Sequence, residues 1–449
     1  MVDEILVHKS TDKIRLHLGE SSLNVTEYDG QVLNEVSGFS IRQLVADHGS
    51  PTFVYDGDMI RKRCSDLSCF DTIRYAQKAC SNLSVLSIIR EQGVLVDAVS
   101  AGEAMRALAV GYSADGEPPE IVYTCDIFDR EALKLLQQYR FHCNLGSMDM
   151  IEQLAEILPE AEVTLRINPG FGHGHSQKTN TGGPQSKHGI WHEDLPECIQ
   201  RCEAAGILIT GLHMHIGSGT DLEHLAQVCQ ALNRCARLIG RSIKSISAGG
   251  GLPTIYRGGQ EAIDLHAYFQ LWDEVRNGLQ GEFGHDIGLE IEPGRYLSAE
   301  SGYLLTEIRA IKKMGDNLFY LVDAGFNNLA RPILYGAYHP MAICPADGRT
   351  ITQKVDVIVG GPLCESGDIF TQEEGGLVSK RALPLAEVGD ILVIGCAGAY
   401  GSVMGSNYNS KPLAAELLID GGQLKLARRR QSLLELYSAE LDAIQTLNV

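Results

Sequence analysis

The chain has 449 residues, 44% of them apolar and 21% charged, a balance that supports a large buried core and excludes wholesale disorder. Its 57 acidic and 38 basic residues leave a net charge of −19, which argues against binding to nucleic acid or to an anionic membrane. At roughly 100–200 residues per domain, the length allows two or three domains, or one barrel with an appendage.

Near the N-terminus, Asp3 and Glu4 follow Met1 with no apolar run behind them, so no export signal is read and a cytoplasmic protein is expected. A short polar–apolar alternation at Ile14–Leu18 suggests a strand, and so short a segment needs a partner sheet. From Thr72 onward, β-branched runs alternate with amphipathic helical stretches. Strands are expected at Thr72–Ala76, Val94–Val99, Glu120–Cys125, Phe141–Leu145, Val163–Asn168, Ile207–His215, Ile243–Ala248 and Ile287–Glu292. Helical spacing falls between them, as at Glu131–Tyr139, Met148–Leu158, Asp194–Ala205 and Leu222–Ile239. Strict alternation implies parallel strands with helices outside, and eight such units fit a (β/α)8 TIM barrel. A doubly wound open sheet competes, but no G-x-G-x-x-G opens the first unit.

After Gly302 the texture changes. Tyr303–Ile311, Phe319–Val322, Val355–Val359 and Ile391–Ile394 read as strands between Gly/Pro/Asp turns. The expected division is a barrel over 59–302 and a β-rich, sandwich- or barrel-like domain made of 1–58 with 303–449. The uncharged stretch Ile391–Ser406 contains glycine and is too short for a membrane span. The triplet Arg428–Arg430 reads as a solvated face. Twelve cysteines include no CxxC pair, and Cys198 and Cys202 lack the further ligands of a zinc site. Reduced thiols acting as small core residues are expected, with Cys364 the exception. Forty-eight glycines, against a usual share of about 7%, point to tight loops or close approaches of backbone to a ligand.

The chemistry-bearing residues gather at the predicted C-terminal strand ends, where a barrel enzyme keeps its site. They are Lys78 after strand one, Asp97 and Glu103 after strand two, and Arg166 and Asn168 on strand five. His213 and His215 end strand six, Gly249–Gly251 follow strand seven, and Glu292, Gly294 and Arg295 end strand eight. A lysine ending an apolar strand is costly unless paired or reactive, which makes Lys78 a candidate Schiff-base former. The glycine triplet leads toward a helix, and its bare N–H groups, aided by the helix dipole, suit a phosphate. Arg295 can clamp the same anion. His215 can lie flat on an aromatic ring, and Glu292 can pair with a heterocyclic nitrogen or form a salt bridge with Arg166 or Arg295. His213-x-His215 on one side of a strand also admits a metal reading. That reading leaves Lys78 and the glycine triplet without a purpose, so no metal is expected.

Eight ordered segments carry a family resemblance. They are YAQKACSN from Tyr75, DAVSAGE from Asp97, GLHMHIGSG from Gly211, Gly249–Gly251, EPGR from Glu292, DAGFNNLARPILYGAYH from Asp323, GPLCESGDIF from Gly361 and GAYGSVMGSNYNSKP from Gly398. With them the chain resembles the fold-type III pyridoxal-phosphate decarboxylases, most closely the bacterial diaminopimelate decarboxylases, from about Phe53 to Glu435. The segment Asn168–Trp191 looks like the enterobacterial branch. Two departures stand out: some 20–25 residues precede the usual start, and Lys411 stands where many relatives carry Arg.

The resemblance implies pyridoxal 5'-phosphate held covalently by Lys78, with His215 stacked on its ring and Glu292 keeping the ring nitrogen protonated. It places Ser218, Gly251, Gly294 and Arg295 around the phosphate, and Asp97 and Tyr400 against the cofactor. Substrate contacts fall on Arg295, Arg331, Tyr335, Glu365 and Tyr400, with Arg331 and Tyr335 gripping the carboxylate distal to the reaction. Cys364 matches the proton donor, and Cys364 and Glu365 reach across a homodimer interface. The implied activity is decarboxylation of meso-2,6-diaminopimelate at its D-configured carbon to L-lysine and carbon dioxide, the last step of bacterial lysine biosynthesis. A paralogue acting on another amino acid is the alternative. A catalytically dead homologue is disfavoured because Lys78, Glu292 and Cys364 all remain.

Overall fold

The computed structural model describes residues 25–172, 181–215 and 222–447. The strand expected at Ile14–Leu18 lies outside them, as do most of the N-terminal extension and part of the Asn168–Trp191 segment. All eight expected barrel strands are present, with ends shifted by a few residues. They are Thr72–Ala76, Leu95–Ala98, Ile121–Cys125, His142–Leu145, Glu162–Asn168, Leu208–His213, Ser245–Ser247 and Gly288–Ile291. Each pairs in parallel with the next, and Ile291 pairs back to Ile73, so the sheet closes on itself. That last pairing excludes the open doubly wound arrangement.

Helices follow the strands because the residues at the junctions cap them. Asn82 accepts a hydrogen bond from Ser84 N at 2.9 Å and starts the helix Leu83–Glu91. Ser100 accepts from Glu103 N at 3.2 Å while Glu103 Oε2 accepts from Val99 N at 2.9 Å. Ser100 and Glu103 thus form a reciprocal cap on Ala101–Ala109. The outer helices bury one stripe each; Leu222–Ile239 buries Val228, Cys229, Leu232, Cys235 and Ala236. Most of the twelve cysteines are buried, as expected for small core residues, with Cys69 and Cys364 exposed.

The chain enters and leaves the barrel through the second sheet. Thr52–Asp56 pairs antiparallel with the long strand Gly302–Met314 and parallel with Ala415–Asp420. Asp56 then caps the helix Gly57–Ser65, and the chain returns at Gly302, which faces Tyr55. Gly302 packs on Gly398 so closely that a Cβ would lie 2.2 Å from its backbone. The four strands expected after Gly302 are present. Met341–Cys344, Arg381–Pro384, Ala415–Asp420 and Gln423–Arg428 were not anticipated. The last two form a hairpin whose loop residues Gly421 and Gly422 both take positive φ, 55° and 74°, as a type I′ turn demands. Among the described residues no helix is long and apolar enough to cross a membrane.

The Arg428–Arg430 triplet departs from expectation. Arg429 is exposed and pairs with Glu435, but Arg430 donates to Pro51 O at 2.8 Å and Arg428 Nη1 lies 2.8 Å from Glu416 Oε1. Glu416 is 1% exposed. Its Oε2 accepts from Tyr55 OH at 2.6 Å, Asn82 Nδ2 at 3.1 Å and Ser402 Oγ at 3.1 Å. One buried carboxylate therefore joins the turn after the first barrel strand to the loop that follows Tyr400. Glu416→Ala strips four donors of their acceptor and is expected to cost about 3–5 kcal/mol. Urea unfolding measures this as a lower midpoint at unchanged slope; a midpoint equal to the parent's contradicts the role.

Candidate active site

A cavity of about 740 Å³ opens where the barrel strands end. Lys78, Asp97, His215, Gly251, Glu292, Gly294 and Arg295 reach it from the barrel, and Arg331, Tyr335 and Tyr400 complete its wall from the second sheet's side. Ten of the sequence-derived candidates thus share one space. Cys364 and Glu365 do not: both are exposed and neither lines the cavity. Their loop is held by Asp368, which accepts from Phe326 N at 2.7 Å and Leu363 N at 2.8 Å, while Cys364 N donates to Asn409 Oδ1 at 2.8 Å. Ser218 lies outside the described residues.

Lys78 sits in a 3₁₀ turn, Gln77–Ala79, whose other two residues are buried while Lys78 itself is exposed. The turn is anchored on both sides: Ala76 N donates to Pro293 O at 3.1 Å, and Tyr400 N donates to Ala79 O at 2.7 Å. Tyr400 has φ +56°, a left-handed conformation that costs a non-glycine residue energy and is found where a site imposes it.

Glu292 is buried, with Oε1 accepting from Ser247 Oγ at 2.7 Å. Burial raises its pKa, with the Ser247 hydrogen bond opposing. No ion pair joins Glu292 to Arg166 or Arg295 among the described residues. Its nearest titratable neighbour is instead His213, whose Nε2 lies 3.3 Å from Oε2 but off the hydrogen-bond axis, so that Nε2 has no hydrogen-bond partner among the described residues. Asn144 Nδ2 lies 2.9 Å from His213 Nδ1; donation there leaves the proton of a neutral ring on Nε2. Gly250 N likewise donates to His215 Nδ1 at 3.2 Å. Burial, with Arg166 and Lys78 nearby, holds both imidazoles well below their ordinary pKa. The two rings are parallel within 6°, centroids 6.5 Å apart. No group of three or more His, Cys, Asp or Glu is placed to hold a metal among the described residues.

The glycine triplet does not open a helix. The next helix, Leu265–Phe283, begins after a loop containing Pro253 and Gly258–Gly259, so its N-terminus does not lie at the triplet. Its N–H groups are presented instead by left-handed turns, φ +64° at Gly249 and +95° at Gly251. A Cβ on Gly250 would lie 2.5 Å from Glu292 O, so only bare backbone fits.

Opposite, Arg331 Nη1 donates to His339 Nε2 at 3.0 Å, and its guanidinium lies 4.8 Å from the Tyr256 ring centroid. Arg295 Nη1 donates to Tyr256 OH at 3.2 Å and lies over Tyr400 at 5.3 Å. Neither arginine has a carboxylate partner among the described residues. Sequence reasoning missed Ser247, Asn144, Tyr256 and His339. Ser247 had a signal, standing at a strand end two residues before the glycines; Tyr256 and His339 gave none. The cavity offers an accessible amine, a buried carboxylate beside a neutral imidazole, a bare-backbone cradle and two unneutralised guanidiniums. A cofactor bearing an aldehyde, a basic ring nitrogen and a phosphate fits these groups, including the orphaned buried atoms Asp97 Oδ1 and His213 Nε2.

Comparison with known proteins agrees. Residues 58–299 match the family model of the pyridoxal-dependent decarboxylase pyridoxal-binding domain. The diaminopimelate decarboxylase of Escherichia coli K12 is 50% identical over 409 residues, 91% of this chain and 97% of that one. A solved diaminopimelate decarboxylase superposes with a TM-score of 0.87 at 50% identity, covering 89% of this chain and 96% of its own. The Helicobacter pylori enzyme, solved with L-lysine, gives 0.80 at 30% identity, with 89% and 99% covered.

Two carboxyls, Asp97 in the cavity wall and Glu103 in the helix cap behind it, make stability depend on pH. Burial pushes Asp97 and Glu103 up to about 7; Glu292 adds to the effect on Asp97 and Lys78 opposes it. The unfolded chain releases these protons near about pH 4. Between those values the folded state binds more protons, so both groups cost stability as pH rises through the window. Asp97→Asn is expected to gain on the parent by on the order of 2–4 kcal/mol as the cofactor-free proteins are taken from about pH 4 to about pH 8. Urea midpoints across that range check it; a difference independent of pH contradicts it.

Proposed function

The chain belongs to the diaminopimelate decarboxylases of the pyridoxal-dependent decarboxylase family, and from that premise we propose how its own residues convert meso-2,6-diaminopimelate to L-lysine and carbon dioxide. Pyridoxal phosphate, when bound, supplies a protonated pyridine ring that takes up the electron pair left by the departing carbon dioxide. Lys78 holds it through the side-chain amine. The N–H of Gly251, with Gly294, Arg295 and Ser218, would take the phosphate. His215, kept neutral, would lie against the ring face. Glu292 is held by Ser247 and already inclined by burial to carry a proton; it shares that proton with the ring nitrogen and pairs with the resulting positive charge. Asp97 and Tyr400, which line the same cavity as Lys78, would contact the cofactor.

The observation that carries this reading is the pair of guanidiniums without carboxylates, in the same cavity as Lys78 and Glu292. The substrate has an amino-acid head at each end. Arg331 and Tyr335 grip the distal carboxylate, which fixes the bond to be broken relative to the ring. L-Lysine keeps that same carboxylate, so it remains a ligand of Arg331. Cys364 donates the proton to the carbon that lost its carboxylate, and Glu365 contacts the substrate. Because both lie outside the cavity of their own subunit, we place them in the site of the partner in a homodimer. The protein works in the cytoplasm, with residues 59–302 as the cofactor-binding domain and 1–58 with 303–449 as the β-rich domain.

The purified protein with pyridoxal phosphate is expected to release L-lysine from meso-diaminopimelate, followed by amino-acid analysis; no lysine contradicts the reading. Mixing Lys78→Ala with Cys364→Ala protein is expected to restore up to about a quarter of activity. Half of randomly formed dimers are mixed, and each mixed dimer has one intact site. Verified mixed dimers without recovered activity contradict shared sites.

A further inference from the structure

Arg331 is only 6% exposed, yet no carboxylate among the described residues neutralises it. A buried guanidinium is ordinarily paired with an acid. Here its hydrogen-bond partner is an imidazole, His339, at 3.0 Å, and its other support is the face of Tyr256. The chain is built to bring the two residues together. The short helix Arg331–Tyr335 ends at Gly336, φ +60°, where a Cβ would lie 2.1 Å from Glu374 N. The chain reverses there and returns His339 beside Arg331.

His339 is fixed from its other side as well. Its Nδ1 lies 3.0 Å from Gly395 O. A carbonyl only accepts, so Nδ1 carries the proton and Nε2 presents a lone pair to the guanidinium. The ring is fully buried, stands edge-on to Tyr256, and has Arg331, Arg295 and Arg381 as its charged neighbours. Three positive charges and burial keep it neutral.

We propose that His339 is a positioning residue that orients Arg331 through a neutral acceptor, so that the guanidinium is aimed without being neutralised and its charge is kept for the distal carboxylate of the substrate. The inference rests on the reading of Arg331 given above. A carboxylate at position 339 would aim the guanidinium equally well but would occupy its charge and compete with the substrate. An apolar residue would leave a buried donor unpaired and the guanidinium free to turn. Tyr256 supports the same arrangement, touching both Arg331 and Arg295 while adding no negative charge between them.

The test uses two isosteric variants of the cofactor-loaded enzyme, His339→Gln and His339→Glu. Glutamine reproduces both hydrogen bonds, its carbonyl accepting from Arg331 and its amide donating to Gly395 O; glutamate keeps the acceptor for Arg331 but adds a charge and has no donor for Gly395 O. Three quantities are read: KM and kcat for meso-diaminopimelate, the dissociation constant of L-lysine by calorimetry, and bound pyridoxal phosphate. For His339→Gln, KM and the lysine constant are expected to stay within about threefold of the parent. For His339→Glu both are expected to rise about tenfold or more, with kcat changed less and cofactor content unchanged. Glutamate binding substrate and lysine as tightly as glutamine overturns the proposal. So does equal loss in both variants, or loss of the cofactor along with the substrate, since these mark a packing role. A parent enzyme that does not turn over meso-diaminopimelate defeats the underlying reading; an active parent with unaffected variants defeats this inference alone.

Discussion

Closure of eight parallel strands is the constraint on which the site depends. Parallel strands all point one way, so a closed ring of them must bring eight C-terminal ends to a single rim. The pairing of Ile291 with Ile73 completes the ring, and the bond from Ala76 N to Pro293 O carries the contact one step past the strands. Lys78 and Glu292 therefore come to one cavity from opposite ends of a stretch of more than two hundred residues. Neither needs a neighbour in sequence to find the other. The barrel holds the cofactor-facing groups on short, anchored turns, where small displacements would be costly to catalysis.

The second sheet supplies what the barrel lacks. Thr52–Asp56 lies inside that sheet, between Gly302–Met314 and Ala415–Asp420, so both ends of the barrel segment are tied to it. Glu416 gathers donors from the turn near Lys78, from the loop after Tyr400 and from Arg428. Two residues before Ser402, the donor in that loop, the left-handed Tyr400 is itself fixed to the Lys78 turn by its N–H, which donates to Ala79 O. The short helix Arg331–Tyr335, on that sheet's side of the cavity, brings in a guanidinium with no carboxylate partner among the described residues. Barrel and second sheet thus contribute to the same cavity from two sides.

Much of this was legible in the sequence, and the physical reason differs by element. The barrel strands were legible because β-branched runs end in Gly, Pro and polar residues at each strand end. Lys78 stood out because a lysine there is costly without a task. The hairpin of Ala415–Arg428 was missed although Gly421–Gly422 marks its turn, because its first strand is buried and its second has no buried residue, which breaks the simple alternation. The glycine triplet leads toward a helix in the sequence pattern, but Pro253 and the Gly258–Gly259 pair put a loop between the two. Arg428 was read as solvated because the sequence shows three arginines in a row and cannot show that Glu416 lies beside the first. His339 and Tyr256 were invisible for the same reason: their roles come from contacts across the fold rather than from local pattern.

The central claim is that the side-chain amine of residue 78, at the mouth of the barrel, is the attachment point of pyridoxal phosphate. Borohydride reduction of the loaded enzyme, followed by proteolysis and peptide mass mapping, locates that attachment directly. The account predicts a pyridoxyl mass addition on the peptide that contains Lys78 and on no other lysine. An addition at a different lysine, or none at all on protein shown to have bound the cofactor, would contradict it.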